Sequence, residues 1–177
     1  DQEGGRVARL GPPFTAFPGN DFLGRIFERT RRVDLAAAQA IAMAEELKSI
    51  GVNLNFTPVA DVDSNPKNPV IGRRSFGSDP KNVARLVAAT VDAYRRAHVL
   101  CCAKHFPGHG DTSSDSHQVL PSVRASGPLL ARRELVPFRA AIRAGAPMIM
   151  SAHVTYPALD RKNSATLSPR ILGQLLR

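Results

Sequence analysis

Fourteen consecutive residues, Lys104-His105-Phe106-Pro107-Gly108-His109-Gly110-Asp111-Thr112-Ser113-Ser114-Asp115-Ser116-His117, hold three histidines, two aspartates, a lysine and two glycines. They follow directly on the apolar run Val99-Leu100-Cys101-Cys102-Ala103. Titratable side chains gathered where a buried strand opens into a loop serve chemistry more often than packing. At the far end of the stretch Asp115 stands two residues before His117. A carboxylate so placed can hold the imidazole in one tautomer and stabilise its protonated form. An unperturbed imidazole titrates at about 6.5, so it can give and take a proton near neutrality. The same spacing also describes an ordinary Asx turn with a solvated histidine, and taken alone the spacing favours that turn. Pro107-Gly108 and Gly110 make the intervening loop sharp and adaptable, as a loop that carries a catalytic group over a substrate must be.

At the near end Lys104 and His105 close the apolar strand, where both could donate hydrogen bonds to ligand oxygens. The alternative for Lys104 is a buried ammonium paired with a neighbouring carboxylate. Two further clusters are polar in the same way: Asp1 with Arg6 and Arg9 around Gly4-Gly5, and Arg73-Arg74-Ser75-Phe76 in a loop that also holds Asn65-Pro66, Asn68-Pro69 and Gly72. Carboxylates and arginines so placed suit the hydroxyl and carbonyl groups of a sugar. Each cluster in isolation reads better as surface turn residues. His105, His109, Asp111, Asp115 and His117 are all metal-ligand types, but their spacing matches no standard zinc pattern. No metal and no other cofactor is expected.

Elements must bring these clusters together. Val52 to Val59, Val99 to Ala103 and Pro147 to Ala152 are short apolar runs bounded by turn residues, which suits strands covered on both faces. Between them lie helical patterns. Asp34 to Ile50 places apolar residues at helical intervals and stops at Gly51. Ser78-Asp79-Pro80 reads as a helix start, followed by a face of Val83, Leu86, Val87, Thr90, Val91 and Tyr94. Glu134 to Ala144 is a further helix, with Pro137 tolerable in its first turn, and Ser168-Pro169 opens a last one. Alternating strands and helices predict βα units with right-handed crossovers and a parallel sheet.

Both a doubly wound sheet and a (β/α)8 barrel fit that order. The barrel is favoured because each strand ends in polar residues: Asp61 and Asp63, Lys104 and His105, Ser151 and His153. No glycine-rich phosphate fingerprint follows any strand. A complete barrel takes about 250 residues. The fold expected of these 177 residues is therefore α/β, a partial (β/α)8 TIM barrel covering about strands 2–5, without the first strand and the C-terminal ones.

Bulk properties narrow the function classes. A hydrophobic content of 43% and a charged content of 22% are ordinary for a globular protein, and no apolar run is long enough to span a bilayer. The net charge of +9 invites a nucleic-acid reading, but the arginines are dispersed and aromatics make up only 6%. No nucleic-acid partner is expected. Cys101 and Cys102 are adjacent in an apolar strand, where cysteine acts as a small hydrophobe and a reducing compartment fits.

Taken in order, the motifs resemble those of glycoside hydrolase family 3, and within it the bacterial β-N-acetylglucosaminidases. Asp1-Gln2-Glu3-Gly4-Gly5-Arg6-Val7-Ala8-Arg9 is similar to the family's sugar-binding strand end. Phe56 to Val62 and Asn68 to Gly77 are similar to its next motifs. The Lys104–His117 stretch is close to its signature, and Ser151-Ala152-His153-Val154 follows in the expected order. The resemblance implies that Asp1, Arg9, Arg74, Lys104 and His105 bind an N-acetylglucosamine ring. It further implies that His117 is the general acid/base and Asp115 its partner. It implies a retaining hydrolase of terminal β-N-acetylglucosaminides, cytoplasmic, acting on an N-acetylglucosamine-containing saccharide or muropeptide. The family's nucleophilic aspartate stands on a Ser-Asp-Asp-type strand expected beyond Arg177, and Asp160 lies in the wrong motif for that role. A family 3 phosphorylase or a non-catalytic sugar-binding domain is the alternative.

Overall fold

The computed structural model describes residues 1–177. Eleven residues, Asn20–Thr30, form α1, and Asp34–Ser49 form α2. The chain then enters β1 (Leu54–Asn55), α3 (Pro80–Arg96) and β2 (Leu100–Phe106). Two short helices, α4 (Gly127–Arg132) and α5 (Leu135–Arg143), precede β3 (Met148–Ser151). A hairpin of β4 (Thr155–Tyr156) and β5 (Asp160–Ser164) and a final wide turn at Arg170–Leu175 complete it.

The three expected strands form one parallel sheet in the order β1-β2-β3. Leu54 is level with Leu100, and Cys102 with Met148. Helices α2, α3 and α5 pack side by side, with α3 and α5 against β2. This is the βαβ order anticipated, as an open arc: β1 and β3 each pair on one side only.

Local chemistry explains the boundaries. Asp79 caps α3, its carboxylate accepting from the Lys81 and Asn82 amides at 2.7 and 3.0 Å, with Pro80 in the first turn. Gly51, at φ +80°, closes α2, and the Val52 amide reaches back to the Leu47 carbonyl at 2.9 Å. The first strand is much shorter than the predicted run Val52–Val59. The ladder is irregular after Asn55: the Thr57 and Pro58 carbonyls accept from the Cys102 and Lys104 amides at 2.9 and 3.1 Å, but Pro58 has no amide to return a bond, and only an isolated bridge between Val59 and Lys104 follows. The predicted helix Glu134–Ala144 begins one residue later, behind the separate helix α4. The last helix forms with a π-type turn.

Helix α1 and the β4–β5 hairpin are additions to the predicted order. Leu23 and Phe27, four apart, bury one face of α1. Gly24 lets that face approach so closely that a Cβ there would meet the Phe76 backbone carbonyl.

Along β2 the side chains alternate. Cys101 and Ala103 join the main core with Val87, Val91, Tyr94 and Phe138, on the helix side. Lys104, of opposite parity, is buried on the other face. After a register shift between Lys104 and Phe106, Phe106 returns to the core and packs edge-on against Phe138, ring centroids 5.3 Å apart. Burial pushes the Cys101 thiol up to about 12, so it behaves as the small hydrophobe expected.

Candidate active site

The N-terminal segment is fastened beside β1 by side chains. Asn55, buried at the end of β1, accepts from the Gln2 amide at 2.9 Å and donates to the Gln2 carbonyl at 2.7 Å and the Tyr94 hydroxyl at 2.8 Å. Gln2 in turn accepts from the Arg9 amide at 2.7 Å. The reversal between them depends on Gly4 and Gly5, both at positive φ, with Pro18 and Gly19 too close for a side chain at either. The result holds Asp1 and Glu3 over the end of β2.

Lys104 points up between these two carboxylates. Its ammonium contacts Asp1, and lies 2.6 Å from Glu3. Arg74 grips Glu3 with two parallel bonds of 2.9 and 2.8 Å. Asn20, the first residue of α1, donates to the Arg74 carbonyl at 2.8 Å and so ties that helix to the site. Both readings of Lys104 hold together: it is a buried, paired lysine, and it lines the cleft. Burial pushes the Glu3 carboxyl up, but the Arg74 hydrogen bonds and the Lys104 charge outweigh it, and the net direction is down.

Asp61, fully buried, organises the strand-end loop. One of its oxygens lies 2.7 Å from His105 Nδ1, and the other accepts from the His109 amide at 2.6 Å. Burial alone would raise its pKa, yet His105 and the amide bonds pull it below the ordinary range. With Nδ1 committed to Asp61, His105 is left with Nε2 for the cleft. Asn68 locks two loops together. It donates to the His109 and Gly110 carbonyls at 2.9 and 3.0 Å and accepts from the Val70 and Ile71 amides at 2.8 and 2.7 Å. Arg133, ahead of α5, bonds Asp111 at 2.7 Å and Glu134 at 2.5 Å.

Beyond this anchored root, Asp115 accepts from both the His117 amide and the His117 Nδ1, each at 2.9 Å. The Asx turn and the carboxylate–imidazole pair are thus one arrangement rather than rival ones. The backbone bond from His117 first, and its ring second, hold the Asp115 carboxyl below its ordinary range. His117 is 82% exposed, with Nε2 unengaged.

Asp1, Arg9, Arg74, Lys104, His105 and His117 line one cleft of about 440 Å³, with His109, Ser116 and His153 completing its wall. Asp115 stands behind His117, so every predicted site residue converges. Asp160 lies elsewhere: it accepts from Ser168 at 2.6 Å and from the Lys162 amide at 2.8 Å, organising the β5 turn. No three His, Cys, Asp or Glu side chains are grouped so as to hold a metal ion. Glu3, Asp61 and Asn68 carry contacts that spacing does not single out. Glu3 shares the parity of Asp1 in an extended segment, and Asp61 ends an apolar run, which are the only signals either offers.

The family profile described as the glycosyl hydrolase family 3 N terminal domain matches residues 1–177. A β-hexosaminidase A of Pseudoalteromonas piscicida is 46% identical over 190 aligned residues, which cover 100% of this chain and 32% of that protein. A family 3 β-N-acetylglucosaminidase from Paenibacillus sp. superposes with a TM-score of 0.96 at 46% identity, over 100% of this chain and 33% of its own. NagZ from Neisseria gonorrhoeae, solved in complex with N-trifluoroacetyl-D-glucosamine, superposes at 0.94 with 40% identity, over 100% of this chain and 52% of its own. The chain therefore spans about a third to a half of the length of these relatives. With the parallel βα arc, the ordered motifs and the match across residues 1–177 all in agreement, the chain belongs to glycosyl hydrolase family 3, as a portion of its barrel-forming N-terminal domain.

Proposed function

We propose that the protein carrying this chain is a retaining β-N-acetylglucosaminidase, with residues 1–177 as the incomplete catalytic barrel that supplies sugar binding and the acid/base. The observation that carries this reading is the convergence in one cleft of a His117–Asp115 pair with the cationic and carboxylate groups of Asp1, Arg74, Lys104 and His105. The Paenibacillus and gonococcal relatives, described as β-N-acetylglucosaminidase and as bound to an N-acylglucosamine analogue, favour this sugar.

In this mechanism Asp1, Arg9, Arg74, Lys104 and His105 hold the hydroxyl and acetamido groups of the terminal ring. His117 gives its Nε2 proton to the glycosidic oxygen as a carboxylate from outside this chain attacks the anomeric carbon and the C–O bond breaks. Neutral His117 then takes a proton from water, whose oxygen displaces the carboxylate with net retention. Asp115 fixes the tautomer and stabilises the imidazolium in both steps. Asp1 and Glu3 are committed to Lys104 and Arg74, which leaves them poorly placed as nucleophiles. The substrate proposed is a terminal N-acetylglucosaminide from peptidoglycan-derived muropeptides, met in the cytoplasm. No helix is long and apolar enough to cross a membrane.

The test is hydrolysis of aryl β-N-acetylglucosaminides by the full-length protein and its His117→Ala variant. The variant should lose about 10²–10⁴-fold with a poor leaving group and much less with a dinitrophenyl one. Equal loss with every leaving group counts against the acid role. Sugar 1-phosphate formed in phosphate buffer would replace hydrolysis with phosphorolysis.

A further inference from the structure

Residues 113–120 carry the His117–Asp115 pair out over the cleft, and their internal hydrogen bonds are the turn bonds of Asp115 with His117, Gln118 and Val119. A single hydrogen bond joins this whole segment to the rest of the protein: Ser116 Oγ lies 2.9 Å from Nε2 of His109. His109 itself is 2% exposed and hydrogen-bonded through its backbone and its ring. Its amide donates to Asp61, its carbonyl accepts from Asn68, and its Nδ1 lies 3.0 Å from the Thr112 hydroxyl. Burial pulls its pKa below the ordinary histidine value, so the ring is neutral at neutral pH. A neutral ring offers one donor and one acceptor, which the Thr112 and Ser116 hydroxyls, able to act as either, satisfy.

We infer that His109 is a positioning residue that holds the acid/base segment closed over the sugar through its single bond to Ser116. The inference rests on the reading of His117 as the acid/base. The same Asp61 that takes the His109 amide also fixes His105, so the tether is referenced to the floor on which the sugar sits. Ser116 lies between the two members of the pair, and a shift at Ser116 displaces both Asp115 and His117. A histidine serving only to fill the core needs no partner for its second nitrogen in an exposed segment. Here that nitrogen makes the segment's one hydrogen bond to the rest of the protein. Without it, the segment samples positions in which His117 misses the glycosidic oxygen, and only steps that need the proton suffer.

The experiment measures kcat/KM for phenyl and 2,4-dinitrophenyl β-N-acetylglucosaminides with full-length Ser116→Ala, Ser116→Thr, His109→Phe, the His109→Phe/Ser116→Ala double variant and His117→Ala. Ser116→Ala should lower the phenyl value about threefold to tenfold, the population shift of one lost hydrogen bond, and leave the dinitrophenyl value within twofold. Ser116→Thr should restore it. The double variant should be no worse than His109→Phe alone. Wild-type values for Ser116→Ala on both substrates, or equal loss on both, would overturn the inference. A steep leaving-group dependence for His117→Ala alongside a flat one for Ser116→Ala removes the tether but keeps the acid role. A flat profile for His117→Ala removes the reading beneath it.

Discussion

Glu3 touches no reacting atom in the proposed mechanism, yet it decides the charge balance at the floor of the cleft. It is 3% exposed and meets both the buried Lys104 and the half-buried Arg74. Removing one member of such a group strands the others in a medium that solvates charge poorly. Glu3→Gln should therefore cost about 3–5 kcal/mol in urea unfolding at pH 7. The pH dependence has a defined sign. The folded carboxyl titrates below its ordinary value of 4.5, so its contribution is complete above that pH and is lost as pH falls through the folded value. Wild-type stability should fall on acidification with a component that Glu3→Gln lacks. Parallel acid limbs in the two proteins would show that Glu3 is not the group responsible.

At the scale of elements, the site depends on loop roots more than on strands. Asn68 clamps the loop after β1 to the loop after β2 through buried bonds on both its amide and its carbonyl ends. Asn68→Ala should cost about 1–3 kcal/mol for the polar groups left without partners, and should speed hydrogen exchange of the Val70 and Ile71 amides before that of β2. Glu134, between α4 and α5, is a second such root. Burial raises its carboxyl to about 7, with Arg133 acting against the shift. A raised folded value means the stabilising contribution is complete below about 4.5 and is lost as pH rises through about 7. Glu134→Gln should remove that decline and be the more stable protein at pH 8, by about 1–3 kcal/mol. Capping at Asp79 and the apolar face from Val83 to Tyr94 made α3 readable from sequence, because both signals are local. Helix α1 and the β4–β5 hairpin were not readable in that way. Leu23 and Phe27 offer a short apolar face after a proline-rich stretch, and β5 is the polar run Asp160-Arg161-Lys162-Asn163-Ser164, held by a turn rather than by patterning.

For the molecule as a whole, the site was more legible than the scaffold. Lys104 and His105 announce themselves as polar residues at the end of an apolar run, and Asp115 and His117 by their spacing; the structure places Lys104, His105 and His117 on one cleft with Asp1, Arg9 and Arg74, and Asp115 behind His117. What spacing could not convey is the long-range pairing of Glu3 with Arg74 and of Asp61 with His105, since both cross between loops that only the sheet brings together. The same sheet sets the limit on what these residues can do alone. β1 and β3 each leave one edge without a partner, and Leu100, Met148 and Leu167 are exposed apolar side chains at 45%, 39% and 73%. Unpaired parallel edges with apolar neighbours recruit other chains. The carboxylates nearest the cleft floor are held by cations, and in the proposed mechanism His117 needs a free carboxylate to form the glycosyl intermediate. Residues 1–177 expressed by themselves should therefore self-associate in sedimentation experiments and release no phenol from aryl β-N-acetylglucosaminides. Turnover by the isolated segment that vanishes in its His117→Ala variant would mean that a carboxylate within these residues attacks the sugar, with Asp1 the first to be replaced in searching for it.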